Sequence, residues 1–262
     1  MKGKKVIIFA SIVLTVLVMV SIGSSHQLSS KQPSSLREEN PLSITIQPGF
    51  LSRGCKIVIT NEGTEPLSNV EWCFSVKPVI TALIGKGDVC HQTMDQLEAG
   101  EARTYVLRPY LSPDMPSPRG LGRVYCKAQV KANSTEVVRD QKQAFLLFNF
   151  MVTMKETYID IPPAEAYDLY LNDTFDLIID VVGLDIYSLG HLPGAVNYIW
   201  ADGTLESTIP ELDKNGTYLV YCHTNPPSTA SAQALVDAGI ENTYRLEGNY
   251  RAWVEAGYPV ET

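Results

Sequence analysis

Cys222 closes an apolar run, Leu219-Val220-Tyr221, and is followed by His223, Thr224, Asn225, Pro226, Pro227, Ser228 and Thr229. A cysteine reacts as its thiolate, and a helix N-terminus close by favours that form through its partial positive charge. The surrounding sequence offers such a helix. GTYLVYC reads as a strand covered on both faces. Ser228 reads as the N-cap of a helix whose apolar stripe is Ala230, Ala234, Leu235 and Ala238. Ligands of open α/β sheets bind beyond the carboxyl ends of strands, which is where Cys222 falls. The chemistry expected is nucleophilic, on an accessible and acidified thiol. Pro226 and Pro227 suit helix entry, yet they remove two N–H groups from any cradle for an anion. His223 reads as an outward-facing loop side chain.

The remaining cysteines, Cys55, Cys73, Cys90 and Cys126, fall in a different kind of sequence. From 42 to 154, short segments alternate with a two-residue period. Cys55, Ile57 and Ile59 share one face; so do Val70, Trp72, Phe74 and Val76, and again Val124, Cys126, Ala128 and Val130. That period, with Gly, Pro and Asn turns between, predicts an antiparallel β-sandwich. An even number of cysteines in an exported β domain implies two disulfides, for which three pairings exist. The inward faces of Cys55 and Cys126 favour that pair, leaving Cys73 with Cys90. His91 reads as a turn residue, since no second histidine or carboxylate stands at ligand spacing, and no metal or cofactor is expected.

Charge separates the two halves. Residues 1–155 hold 18 basic and 12 acidic side chains, and 156–262 hold 3 basic and 17 acidic ones, which matches the net charge of −8. So few cations exclude nucleic-acid binding by the second half; its acidity reads as a solvated surface. Lys2, Lys4 and Lys5 precede an uncharged apolar segment, Val6 to Gly23. Residues 1–23 therefore read as a signal anchor, a hydrophobic helix that holds residues 24–262 outside the membrane, with a cleaved signal peptide as the alternative. Ser-rich residues 24–41 read as a flexible linker.

Three motifs in 156–262 resemble the rhodanese domain of sulfurtransferases. The first is FDLIIDVVGLDIYSLGHLPGAVNY, with Asp180, Gly190, His191, Pro193 and Gly194 at the fold-signature positions. The second is YLVYCHTNPPS, with Cys222 at the nucleophile position. The third is YRLEGNYRAWVEAGYPVE, which carries Gly248 and Trp253. The resemblance implies an α/β domain with a parallel sheet. It also implies a persulfide carried on Cys222 and a substrate-binding loop over 223–229. The substrates it implies are a small sulfur-containing anion and a thiol or cyanide-like acceptor. It makes His191 a structural residue, not a base. The departures lie in the loop: Asn225 stands where the family has glycine, and asparagine can still adopt the left-handed backbone of such a turn, and Pro227 stands where an arginine is common. Val182 and Ile186 replace an Arg–Glu pair beside Asp180. Before the α/β domain, NEGTEPLSNV resembles a turn of Ig-like modules in prokaryotic surface proteins. The expected chain is thus a membrane anchor, an Ig-like β-sandwich and a rhodanese-like sulfurtransferase. The alternative is a rhodanese-fold binding or sensor module with little turnover. A related phosphatase is excluded, because no arginine lies between Cys222 and Arg245.

Overall fold

The structure, a computed structural model, describes residues 40–49, 54–78, 87–107, 120–133, 135–148 and 150–262; of 87–91, 120, 148 and 150–152 the backbone alone is described. The expected anchor at 6–23 and nearly all of the 24–41 linker lie outside the described residues. Among the described residues no helix is long and apolar enough to cross a membrane.

The first unit is built from antiparallel strands β1 (Leu42–Pro48), β2 (Cys55–Asn61), β3 (Leu67–Pro78), β4 (Gly87–Leu97), β5 (Ala102–Leu107), β6 (Gly120–Lys131), β7 (Val138–Phe148) and β8 (Phe150–Glu156). One sheet runs β1-β2-β5 and the other β4-β3-β6-β7-β8. The two-residue alternation decides which faces meet. Ile44, Ile57 and Ile59 from the smaller sheet and Val70, Trp72, Phe74, Val124 and Val130 from the larger are all buried in one core. The register of β3 against β4 shifts between Trp72 and Phe74, so Cys73 lies at a bulge.

The expected Cys55–Cys126 disulfide is not present among the described residues. Cys55 is a free thiol buried in the shared core, and Cys126 lies close enough to influence its ionisation. Burial, and then Cys126, push the Cys55 thiol well above its ordinary value; burial, and then Asp140, push Cys126 up to about 12. The side chain of Cys90, the expected partner of Cys73, lies outside the described residues.

The second unit is an all-parallel sheet of β9 (Ile159–Ile161), β10 (Leu177–Asp180), β11 (Ala195–Asn197), β12 (Tyr218–Tyr221) and β13 (Thr243–Leu246), ordered β11-β10-β12-β13-β9. Helices α1 (Pro163–Leu171), α2 (Leu184–Tyr187), α3 (Thr204–Thr208), α4 (Asn225–Asp237) and α5 (Asn249–Glu255) complete it. Every residue of β12 is buried, as its unbroken apolar run requires of a strand covered on both faces. The chain leaves β10 toward β11 on one side and leaves β12 toward β13 on the other. The crevice between the carboxyl ends of β10 and β12 is therefore a topological switch point, the usual ligand position in such sheets.

The charge division seen in the sequence is partly an interface. Lys127 of the sandwich lies 2.6 Å from both Asp160 and Glu247 of the α/β unit. Lys155 lies 3.2 Å from Asp237, and Arg139 pairs with Glu165. In each pair the cation precedes residue 156 and the carboxylate follows it. The acidic surface is thus not only a solvated one, since part of it receives the basic sandwich.

Candidate active site

Asp180 ends β10 and Cys222 directly follows β12, so the fold brings both to the switch-point crevice. The backbone of Cys222 is fixed from α5: its N–H donates to Asn249 Oδ1 at 3.2 Å, and its carbonyl accepts the Tyr250 N–H at 3.0 Å. Contrary to the expected accessibility, Cys222 is only 2% exposed and belongs to a cluster with Val181, Val220, Ala232 and Leu235. Strand alternation explains this: Tyr218, Val220 and Cys222 point to the face that α4 covers, and Leu219 and Tyr221 to the other.

Helix α4 begins earlier than the sequence pattern implies. Asn225 is its first residue, Thr224 occupies the cap position without a side-chain cap bond, and Pro226 and Pro227 fill the first turn. Prolines in that turn give up N–H groups that no helix carbonyl needs. Ser228 is therefore not the cap. It is fully buried within the helix and its hydroxyl donates to the Asn225 carbonyl at 3.1 Å. The buried face comprises Ser228, Ser231, Ala232, Leu235 and Val236, rotated from the expected stripe because the helix turns its small polar residues inward as well. Thr229 is half-buried, and its hydroxyl donates to the Pro226 carbonyl at 3.0 Å.

Asn225 does not take the left-handed backbone that is open to an asparagine at a family glycine position. The non-glycine residues of positive φ are Asn69, Asp173 and Asn249 among those described. Asn225 contributes its side chain instead: Oδ1 accepts from Asn249 Nδ2 at 2.7 Å and from an Arg245 guanidinium nitrogen at 3.4 Å. Sequence reading missed Arg245, Asn249 and Tyr250. The signal for Asn249 was the Gly248-Asn249 step, where φ is 73° and then 58°; asparagine tolerates that region better than most side chains.

His223 does not face outward. Its ring stacks on Tyr250 with centroids 4.3 Å apart, and Nε2 lies 3.6 Å from Asp180 Oδ2. Both of those atoms are buried and make no hydrogen bond. The other Asp180 oxygen accepts the Val182 N–H at 3.0 Å. Tyr250 has its hydroxyl held up by burial, and then by the Asp180 charge; Tyr221 and Tyr187 are raised by the same two causes in the same order. These phenols stay protonated around a single carboxylate.

The signature residues support this crevice from behind. At Gly190 a Cβ would fall 2.2 Å from the Tyr250 hydroxyl, so a larger residue there would displace the ring that stacks on His223. His191 stacks on Tyr187 and contacts the Tyr187 carbonyl through Nδ1 at 3.1 Å. Pro193 is buried, and Gly194, at φ 72°, donates its N–H to Glu261 at 3.0 Å. Trp253 is fully buried and donates to the Pro259 carbonyl at 2.7 Å. Val182 packs at the edge of the core, whereas Ile186 is 37% exposed. No group of metal-binding side chains occurs among the described residues.

Residues 162–256 match the model of the rhodanese-like domain. Thiosulfate sulfurtransferase GlpE of Glaesserella parasuis serovar 5 is 26% identical over 108 residues, 41% of this chain and 97% of the relative. The enzyme of that name from Actinobacillus pleuropneumoniae serotype 7 is 28% identical over 109 residues, 42% of this chain and 98% of the relative. A solved rhodanese-related protein from Thermoplasma volcanium, 28% identical, covers 40% of this chain and 98% of its own with a TM-score of 0.35. The family match and the curated relatives support sulfurtransferase-like activity at the level of the family. Residues 162–256 thus form a rhodanese-like domain.

Proposed function

We propose that the chain is an exported, membrane-tethered sulfurtransferase that carries sulfane sulfur on Cys222. The observation that carries this reading is the place of Cys222: it follows the central strand β12 at the switch point and stands three residues before α4. The curated relatives are thiosulfate sulfurtransferases along nearly their whole length, which supports a thiosulfate-like donor. In the first half-reaction the thiolate attacks the outer sulfur of thiosulfate. The new S–S bond forms as the old one breaks, and sulfite leaves with the electron pair. A thiol or cyanide then takes the outer sulfur and returns the thiolate, so no electrons are gained or lost overall. Around Cys222 the chain's own groups hold the backbone through Asn249 and Tyr250 and place His223 beside Asp180.

One observation favours a binding module of low turnover. Cys222 is 2% exposed, and Pro226 and Pro227 offer no N–H to an anion. The two readings separate in an assay of thiocyanate formation from thiosulfate and cyanide. Turnover abolished by Cys222→Ser supports the enzyme; a background rate unaffected by that change supports the module.

The membrane tether rests on Lys2, Lys4 and Lys5 before the apolar 6–23 segment. An Ig-like identity for the sandwich rests on its strand order. Sheet β1-β2-β5 faces a sheet containing β4-β3-β6-β7, and Trp72 on β3 is buried in the same core as Cys55 on β2 and Cys126 on β6.

A further inference from the structure

We propose that the β-sandwich is a positioning element for the Cys222 loop and that Arg245 is the positioning residue through which it acts. This inference rests on Cys222 being the reactive group of the proposed function. Lys127 projects from β6 of the sandwich and lies 2.6 Å from Asp160 and 2.6 Å from Glu247. Asp160 on β9 and Arg245 on β13 are cross-strand partners in register, and their side chains meet at 2.5 Å. Arg245 then reaches Asn225 Oδ1 at 3.4 Å, Asn225 accepts from Asn249 at 2.7 Å, and Asn249 accepts the Cys222 N–H at 3.2 Å. An unbroken run of polar contacts therefore joins the sandwich to the backbone of Cys222.

The far end of α4 is tied to the same side. Gln233 Nε2 donates to the Glu156 carbonyl at 3.3 Å, Gln233 Oε1 accepts from the Thr157 hydroxyl at 2.6 Å, and Lys155 lies 3.2 Å from Asp237. The helix behind the thiol is braced at both ends. Burial makes the first brace the stronger. The Arg245 and Asp160 side chains are 10% and 4% exposed, while Lys155 and Asp237 are 48% and 55% exposed. Removing one member of a buried pair leaves an uncompensated charge, whereas exposed pairs contribute little. Arg245 also lies 5.5 Å from the Tyr158 ring centroid, which fixes the guanidinium plane further. The loop that lacks an arginine at Pro227 thus has one brought to it from β13, held there by a lysine of the other unit.

The test is the alkylation rate of Cys222 by iodoacetamide in the full chain, read by peptide mass alongside amide exchange in β6 of the sandwich and β10 of the α/β sheet. Lys127→Met and Arg245→Met are each expected to speed alkylation about tenfold or more, the effect of losing one charged hydrogen-bond partner. Exchange in β6 and β10 should not change, and Arg245→Lys should retain most of the protection. Lys155→Met, at the exposed brace, should leave the rate near that of the parent. Should Arg245→Met fail to fold, Lys127→Met carries the test, since it leaves the Asp160–Arg245 pair inside the α/β unit in place. Alkylation at the parent rate in Lys127→Met overturns the proposal, and so does acceleration matched by faster exchange in β10 or β6, which is opening of the α/β unit or of the whole chain. Alkylation needs no sulfur donor. Failure of sulfur transfer therefore leaves this test intact, and failure here leaves persulfide formation on Cys222 untouched.

Discussion

Asn249 holds Cys222 and Asn225 at once: Oδ1 accepts the Cys222 N–H at 3.2 Å, and Nδ2 donates to Asn225 Oδ1 at 2.7 Å. One buried side chain thus fixes the candidate nucleophile and the first residue of the helix behind it. It does so from a φ of 58°, where a β-carbon is normally strained.

Substitutions at 249 separate those two roles. Asn249→Gly keeps the backbone and loses both hydrogen bonds, so it is expected to destabilise the α/β unit by about 1–3 kcal/mol. Asn249→Ala adds the left-handed penalty, roughly 1–2 kcal/mol more. Urea unfolding of the two variants measures the difference. Equal stability of the two would show that the backbone strain is absent.

In the loop, the structure alters what the sequence alone recommends. Asn225 occupies a family glycine position, but its side chain links Arg245 to Asn249. Asn225→Gly should therefore lower sulfur transfer. Pro227→Arg restores an N–H and adds a cation in the first turn of α4, and it should raise kcat/KM for thiosulfate roughly tenfold or more. Steady-state kinetics of the single variants decide it. A rise with Asn225→Gly would contradict the role given to its side chain.

How far the sequence reached follows from range. Unbroken apolarity marked β12, and strict alternation placed Val70, Trp72, Phe74 and Val76 inside, because both patterns act within a few residues. The exit of the chain at Cys222 was legible for the same reason. The inward turn of His223 was not. It depends on Tyr250 and Asp180, which come from distant segments. Burial of Cys222 likewise follows from how α4 is seated, and that seating is set in part by Arg245 and the sandwich. Local signals carry none of this. The net charge of each half was readable, whereas the pairing of Lys127 with Asp160 needed both folded surfaces.

The interface should respond to acid through Glu247. Burial alone would raise its carboxyl, but Lys127, followed by Lys77 and Arg245, brings it below its ordinary value of 4.5. A carboxyl depressed by folding adds stability that is complete above its unfolded value and is lost as pH falls through the folded one. Stability should therefore decline as pH drops below the ordinary value of 4.5, and Glu247→Gln should flatten that part of the profile. Urea midpoints across acidic pH give the comparison. An unchanged slope in Glu247→Gln would show that the Lys127 contact is not maintained in solution.

The central claim is that Cys222 carries sulfur, and intact mass after incubation with thiosulfate tests it most directly. The protein should gain the mass of one sulfur atom, localised by peptide mapping to Cys222 and removed by cyanide. Cys222→Ser should gain none. A folded protein that shows no adduct on Cys222 at any thiosulfate concentration would contradict the account.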